Sequence, residues 1–245
     1  MPDFVIRDAI VKNLQIGNVT LDIVRTNLVS FLDAGNTSSY SGSGTTWTDL
    51  SGNSNNGTLV NGPTYTSASP TYILLDGSND YVTLSSLSLG ASSFTAGGWL
   101  YYVTLPSSAN NYFSITNYGD TGHSGFWAIY ATTAGTYFWC RHTDGSTTSS
   151  TPTTSISSGS WYHIMAVRNT ATNTITQYIN GTSTGDTSFS GSNNCADAGS
   201  YTWVGVHYNT FVTNMRIGAL TFYNRALTQS EVQQNFNATR SRFGI

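Results

Sequence analysis

Trp161-Tyr162-His163-Ile164-Met165-Ala166-Val167, then Thr170-Ala171-Thr172-Asn173, then Gln177-Tyr178-Ile179-Asn180-Gly181: these three pieces decide the fold. Two runs rich in β-branched and aromatic residues flank a Thr/Asn turn, and an Asn-Gly pair closes the second run. Asn and Gly tolerate positive φ, so the unit reads strand–turn–strand–turn, with strands over 161–168 and 174–180. The same grammar repeats in both directions. Strands are expected near 28–33, 72–75, 80–84, 93–103, 112–117, 125–131, 136–142, 201–206 and 215–223, with further turns at Asp76-Gly77 and Thr143–Gly145. Many short strands without intervening helices predict an all-β, two-sheet antiparallel sandwich rather than βαβ units.

One segment breaks the pattern. Thr228-Gln229-Ser230-Glu231 is a capping box, in which the Thr hydroxyl and the Glu carboxylate satisfy each other's backbone donors. Val232 and Phe236 follow four apart on one face, and Gly244 is a stop signal. A short C-terminal helix is expected at 229–239. Glu231 is also the only Glu in the chain, so its carboxylate already has a structural task.

Composition excludes several functions. Of 245 residues only 9% are charged, against roughly 25% in ordinary domains. Nine Lys plus Arg are too few and too scattered to neutralise a nucleic-acid backbone. A glycosidase needs two carboxyls about 5–5.5 Å apart, or somewhat further, and a lone Glu does not supply the usual pair. No Gly-x-Ser-x-Gly elbow accompanies the four histidines. His163 alternates with core positions and reads as a satisfied strand histidine, and Cys140 beside Trp139 as a buried, inert thiol. Cys140 and Cys195 are expected to be free, packed thiols. With so few lysines, sheet edges are expected to be covered by loops or neighbouring subunits. Ser/Thr/Gly/Asn-rich stretches at 36–69 and 143–160 read as ordered surface loops.

The first 26 residues differ from the rest. Ile10, Leu14 and Ile16 alternate up to Gly17-Asn18, and Val19, Leu21 and Ile23 alternate after it, which is a hairpin signal. With Phe4 and Ile6 these residues form an apolar set too small to stand alone. Residues 1–26 are therefore expected to be an attachment arm, and 27–245 a single domain. Charges within the first 30 residues interrupt any apolar core of a secretion signal, and no run approaches a membrane span.

Four motifs in order carry a family resemblance. Ser93-Phe94-Thr95 with Trp99, Trp161-Tyr162-His163 with Val167, Tyr178-Ile179-Asn180-Gly181, and Tyr223-Asn224-Arg225-Ala226-Leu227-Thr228 with Glu231 resemble the signature strands of laminin-G-like, concanavalin A-like jelly-roll domains. Leu28–Asn36, Thr45–Gly62, Leu75–Val82 and the ending Arg240–Gly244 resemble the version of that domain in structural proteins of tailed bacteriophages. The resemblance implies a jelly roll and a non-enzymatic virion protein, displayed on the particle as capsid decoration, fibre or neck component. It would be assembled in the host cytoplasm, docked by its arm to other virion proteins and homo-oligomeric, a trimer by analogy. The alternative is a lectin-like module that binds host-surface glycan.

Two candidate sites follow. Asp76, Asn79 and Asp80, with Ser78 between, cluster oxygen ligands around one turn, and Asp120 is near in type; related domains often carry Ca²⁺ at the rim. Asx-type turn closure accounts for the same residues, and no cofactor is required. For a glycan, Tyr40, Trp47, Tyr118 and Tyr208, with Tyr65 and Phe211, place aromatic faces among amides and hydroxyls in the loops.

Overall fold

The computed structural model describes residues 22–85, 87, 89–106, 113–117, 125–150, 153–190, 194–195, 201–207 and 211–245. The expected arm positions Phe4, Ile6, Ile10, Leu14, Ile16, Val19 and Leu21 lie outside these residues, as do Tyr118, Asp120 and Tyr208.

Two antiparallel sheets stack face to face. The first holds β1 (Leu28–Asp33), β4 (Thr64–Thr66), β5 (Tyr72–Asp76), β7 (Phe94–Tyr102), β12 (Trp161–Asn169), β13 (Thr174–Ile179), β14 (Thr182–Ser188) and β18 (Asn214–Tyr223). Its order is β14-β13-β12-β7-β18-β5-β4, and β1 pairs with the second half of β18. The second holds β2 (Thr46–Trp47), β3 (Gly57–Val60), β6 (Tyr81–Ser85), β8 (Phe113–Thr116), β9 (Phe126–Thr132), β10 (Gly135–Arg141), β11 (Thr147–Ser149) and β15 (Tyr201–Val204), in the order β11-β10-β9-β8-β15-β6-β3-β2. A small hairpin of β16 (Val206–His207) and β17 (Phe211–Val212) follows β15. Non-sequential neighbours in both sheets are the mark of a jelly roll. The Asn180-Gly181 turn joins β13 to β14 with φ of 51° and 77°, the double positive φ of a two-residue hairpin.

Inward residues of both sheets, among them Trp47, Phe94, Trp127 and Phe138, form the central core. A second core lies on the outer face of the first sheet. The helix α1 (Gln229–Thr239) and a 3₁₀ turn (Arg240–Phe243) cross that face. Trp99 and Trp161 point there, not between the sheets. Trp99 stacks on Phe243 at 4.2 Å between ring centroids, and its indole N–H donates to Thr239 Oγ1 at 2.7 Å. Trp161 meets Phe243 at 4.8 Å. This second layer is why β7 is buried at almost every position instead of every other one. At Gly218 a Cβ would sit 2.4 Å from the Phe243 ring, so close packing rather than backbone twist demands glycine there.

The helix starts as its sequence dictates. Glu231 N–H donates to Thr228 Oγ1 at 3.3 Å, and Thr228 N–H donates to Glu231 Oε2 at 2.9 Å. Arg225 adds two bonds to the same carboxylate, at 2.8 and 2.7 Å, which hold Glu231 well below the usual carboxylate range, at about 2.

The segment before β1 also joins this core. Val24 N–H donates to Asn235 Oδ1 at 2.8 Å, and Tyr223 O–H donates to Val24 O at 3.0 Å. Ile23, assigned by sequence to the arm, is buried here beside Val24. Its side chain serves the sandwich, because alternation alone does not reveal which surface a residue meets.

Loop chemistry guards the open edge of β1, as expected for a lysine-poor protein. Phe31 N–H donates to Asp49 Oδ1, while Val29 O accepts from the Ser51 hydroxyl and from the amides of Asn53 and Asn55. Side chains here stand in for a neighbouring strand. The expected loop stretches contain β2, β3, β4 and β11 as short strands, and β14 is a further strand that alternation did not reveal. Its sequence, Thr182–Ser188, carries no apolar residue because it is an exposed edge.

Candidate functional site

The outer face of the second sheet is built differently. On β15 and β6 the inward residues are Thr202, Val204, Val82 and Leu84, so Tyr201, Trp203, Tyr81, Thr83 and Ser85 point outward. Trp203 faces Thr83 across the ladder, and Tyr81 is its diagonal neighbour, with ring centroids 6.4 Å apart. The β5–β6 turn and the β16–β17 hairpin rise beside Tyr81. Together they enclose a cleft of about 210 Å³ lined by Asn61, Ser78, Asn79, Tyr81, Val206 and Val212. The Asn61 amide donates to Asn79 O at 2.8 Å, which fixes the wall and leaves its own carbonyl oxygen free. Among the described residues neither the Tyr81 hydroxyl nor the Trp203 indole N–H has a hydrogen-bond partner. The arrangement joins two half-exposed aromatic rings to amides and a phenol, the groups that stack on and hydrogen-bond a polyhydroxylated ligand.

The sequence-expected metal residues stand at the rim of this cleft. Asp76 Oδ1 accepts from Ser78 N–H at 2.7 Å and Asn79 N–H at 3.4 Å, and these bonds hold its carboxyl below the usual range. Asp80 is buried, which pushes its carboxyl up, and its Oδ2 accepts from Asp76 N–H at 3.2 Å. Both side chains close the turn on themselves. Among the described residues no three acidic, His or Cys side chains gather around one point, and Asp120, the fourth expected ligand, lies outside the described residues.

Of the expected glycan aromatics, Tyr40 and Trp47 are described, and both are buried. Trp47 is fully buried, because alternation along β2 turns it into the central core while Thr46 faces out. Tyr40 is buried, donates to Gly44 O at 2.8 Å and meets Tyr65 edge-on at 5.1 Å, so these two rings fasten their own loop. Period-2 alternation at Tyr81–Ser85 and Tyr201–Trp203 was the signal that would have found the outward pair; attention to loops missed it.

A second groove, about 580 Å³, is lined by Arg25, Asn27, Ser51, Asn53, Asn55 and Asn224 with the start of β1. Its Asn53 and Asn55 amides already serve the β1 edge, so it reads as structure. The titratable groups elsewhere are committed to packing. His163 is buried against Trp99 and Phe236, its Nδ1 has no hydrogen-bond partner, and burial pushes its pKa down to about 3. The ring is therefore neutral but not satisfied, a correction to the sequence expectation. Cys140 and Cys195 are free and buried, and burial pushes the Cys140 thiol up, away from nucleophilic use. No described helix is long and apolar enough to cross a membrane.

Known proteins agree with this architecture. The binding domain of Paraclostridial Mosquitocidal Protein 1 superposes with a TM-score of 0.70 at 21% identity, over 87% of this chain and 52% of that one. Botulinum neurotoxin type C, whose cell entry depends upon interaction with two ganglioside molecules, gives 0.68 at 16%, over 88% and 52%. The binding domain of botulinum neurotoxin DC, solved in complex with SialylT, gives 0.68 at 15%, over 87% and 52%. The chain thus spans about half the length of these structures, and at such identities the likeness is one of fold. No curated protein sequence matches it. Residues 76–233, well over half of the chain, match the third laminin G family, described as the concanavalin A-like lectin/glucanases superfamily, and the chain belongs to that family.

Proposed function

We propose that this protein is a non-catalytic, lectin-like module that binds glycan at the Tyr81–Trp203 cleft. The observation that carries the reading is the outward aromatic pair, Tyr81 lining the cleft with Asn61 and Asn79, and Trp203 beside it on the neighbouring strand. Two further points support it. The sole Glu is locked between Arg225 and the helix cap, so the carboxyl that a jelly-roll glucanase would use for acid–base work is absent from this cleft. Proteins of like fold include a neurotoxin whose entry depends on gangliosides and a binding domain held with SialylT. The tailed-phage role expected from the upstream motifs rests on that resemblance alone, and the binding-module reading, its alternative, has the better support.

Purified protein on a glycan array, followed by calorimetry on the hits, tests this. Saturable binding that free glycan competes away, and that Trp203→Ala removes while the circular dichroism stays native, is the expected result. Absence of saturable binding, or a Trp203→Ala protein that binds like the parent, would sink the proposal.

A further inference from the structure

The outward face beyond the cleft is ordered in rows by strand pairing. Trp203 on β15 faces Thr83 on β6, Thr83 faces Thr58 on β3, and Thr58 faces Thr46 on β2. With neighbouring strands about 4.8 Å apart, this row of one indole and three hydroxyl-bearing side chains runs about 14 Å across the sheet. Thr58 and Thr46 are exposed, whereas the Thr83 hydroxyl oxygen is buried, so the accessible hydroxyls of the row are those of Thr58 and Thr46. The row is lateral, so a chain-like ligand would lie across the strands, starting at the cleft.

Charge on this face is the informative quantity. The outward positions of β2, β3, β6 and β15 are Thr46, Thr58, Val60, Tyr81, Thr83, Ser85, Tyr201 and Trp203, with no ionisable acid or cation among them. No charged residue lines the cleft itself, and the turn beside it carries the exposed Asp76 and the buried Asp80. The described arginines are mostly engaged elsewhere. Arg225 binds Glu231, Arg242 binds Asp33, and Arg25 binds Asp22. Arg216 lies over the rings of Tyr72 and Tyr101 on the first sheet. Arg141 is exposed at the end of β10, but two strands, β9 and β8, lie between β10 and β15, three spacings of again about 14 Å in all.

We infer that this face takes an uncharged oligosaccharide, its first ring against Tyr81 and Trp203 and its following rings over Thr83, Thr58 and Thr46. The inference rests on the glycan-binding reading and adds the charge class and the direction of the ligand. A sialic or uronic acid in the cleft would lose water from its carboxylate, lie near the exposed Asp76 at the adjoining turn and find no cation in the cleft lining to replace the lost solvation. A neutral ring stacks on the aromatic pair and exchanges hydroxyl hydrogen bonds at no such cost.

The test uses the full chain against immobilised neutral hexose and N-acetylhexosamine oligomers of one to four rings, matched sialylated oligomers and uronic-acid oligomers. The expected result is binding of neutral oligomers that strengthens with length, changes less than about twofold between low and high salt, falls at least about tenfold in Trp203→Ala, and is unchanged in Arg141→Ala. Preference for sialylated or uronic oligomers, with affinity that collapses in salt, would overturn the charge class; if Trp203→Ala also abolished that binding, the glycan module at this cleft would survive. Neutral binding indifferent to Trp203→Ala would overturn the face itself. No binding to any oligomer would overturn this inference and the module together.

Discussion

The two outer faces of the sandwich start from the same ingredients and end differently. Both carry outward tryptophans and tyrosines on central or near-central strands: Trp99, Trp161 and Tyr223 on one sheet, Trp203, Tyr201 and Tyr81 on the other. On the first sheet the chain covers them with its own helix, its 3₁₀ turn and the residues before β1. On the second, Tyr201 remains 51% exposed, and Trp203 and Tyr81 stay half-open beside a cleft. An aromatic on a strand is therefore not evidence of a core or of a binding site; the covering element decides. Large exposed aromatic surface is uncommon on a monomer unless it meets something.

The largest expected effect breaks the covered side. Trp161 touches Tyr72, Tyr101 and Phe243. Trp161→Ala should cost about 3–5 kcal/mol, read as a lower urea midpoint at unchanged slope. The matching Trp203→Ala should cost less, since its ring is partly exposed. Equal losses from the two variants would erase the distinction between the faces.

Truncation sharpens the same contrast from the other end of the cover. Removal of residues 1–26 takes away Ile23 and Val24, with two buried apolar side chains and the bonds to Asn235 and Tyr223. It should destabilise by about 3 kcal/mol. Removal of residues 1–21 leaves these contacts in place and should cost less than removal of residues 1–26. If the two truncations behave alike, the segment before β1 is not part of the second core.

Acid probes the covered face through one histidine. His163 takes up a proton near 6.5 in the unfolded chain but only near 3 when folded. The unfolded state therefore binds more protons between those values, and stability is lost steadily as pH falls below 6.5. At pH 5 the loss is about 2 kcal/mol. His207, pushed down to about 4 by burial, adds a loss of the same sign and of similar size at pH 5. Glu231 adds to it at lower pH, below its ordinary 4.5 and down to about 2, where its bonds to Arg225 are lost. His163→Phe keeps a ring between Trp99 and Phe236 and removes the proton site. The melting temperature of that variant should fall less than the parent's between about pH 7 and 5; parallel curves would show that His163 does not govern the slope.

Much of this architecture could be read from residues alone. The strand runs around Phe94–Tyr102, Trp161–Asn169 and Asn214–Tyr223 are long, β-branched and aromatic, and the capping box fixes the helix start without help from tertiary contacts. Trp47 shows where such reading stops. It sits in a Ser/Thr/Gly-rich stretch that looks like loop, so its inward turn depends on a two-residue strand defined only by pairing with β3. The outward pair failed for the opposite reason. Tyr81 and Trp203 are 122 positions apart in sequence, and only the β6–β15 ladder makes them neighbours. A site assembled across a non-local sheet leaves alternation at each end but no signal that the two ends meet.

The smallest expected effect concerns how the cover is fastened rather than what it covers. Thr228→Ala removes the hydroxyl that accepts the Glu231 N–H, but leaves Arg225 on the Glu231 carboxylate. Loss of an N-cap side chain costs about 1 kcal/mol, or roughly 2–4 °C in melting temperature for a domain of this size. Glycan binding on the opposite face should not change, because α1 packs on the outer face of the first sheet and the cleft opens on the outer face of the second. A Thr228→Ala protein that melts slightly lower and binds as before would show that the two faces are energetically separate; a parallel loss of binding would mean that the helix supports the open face through the sheets.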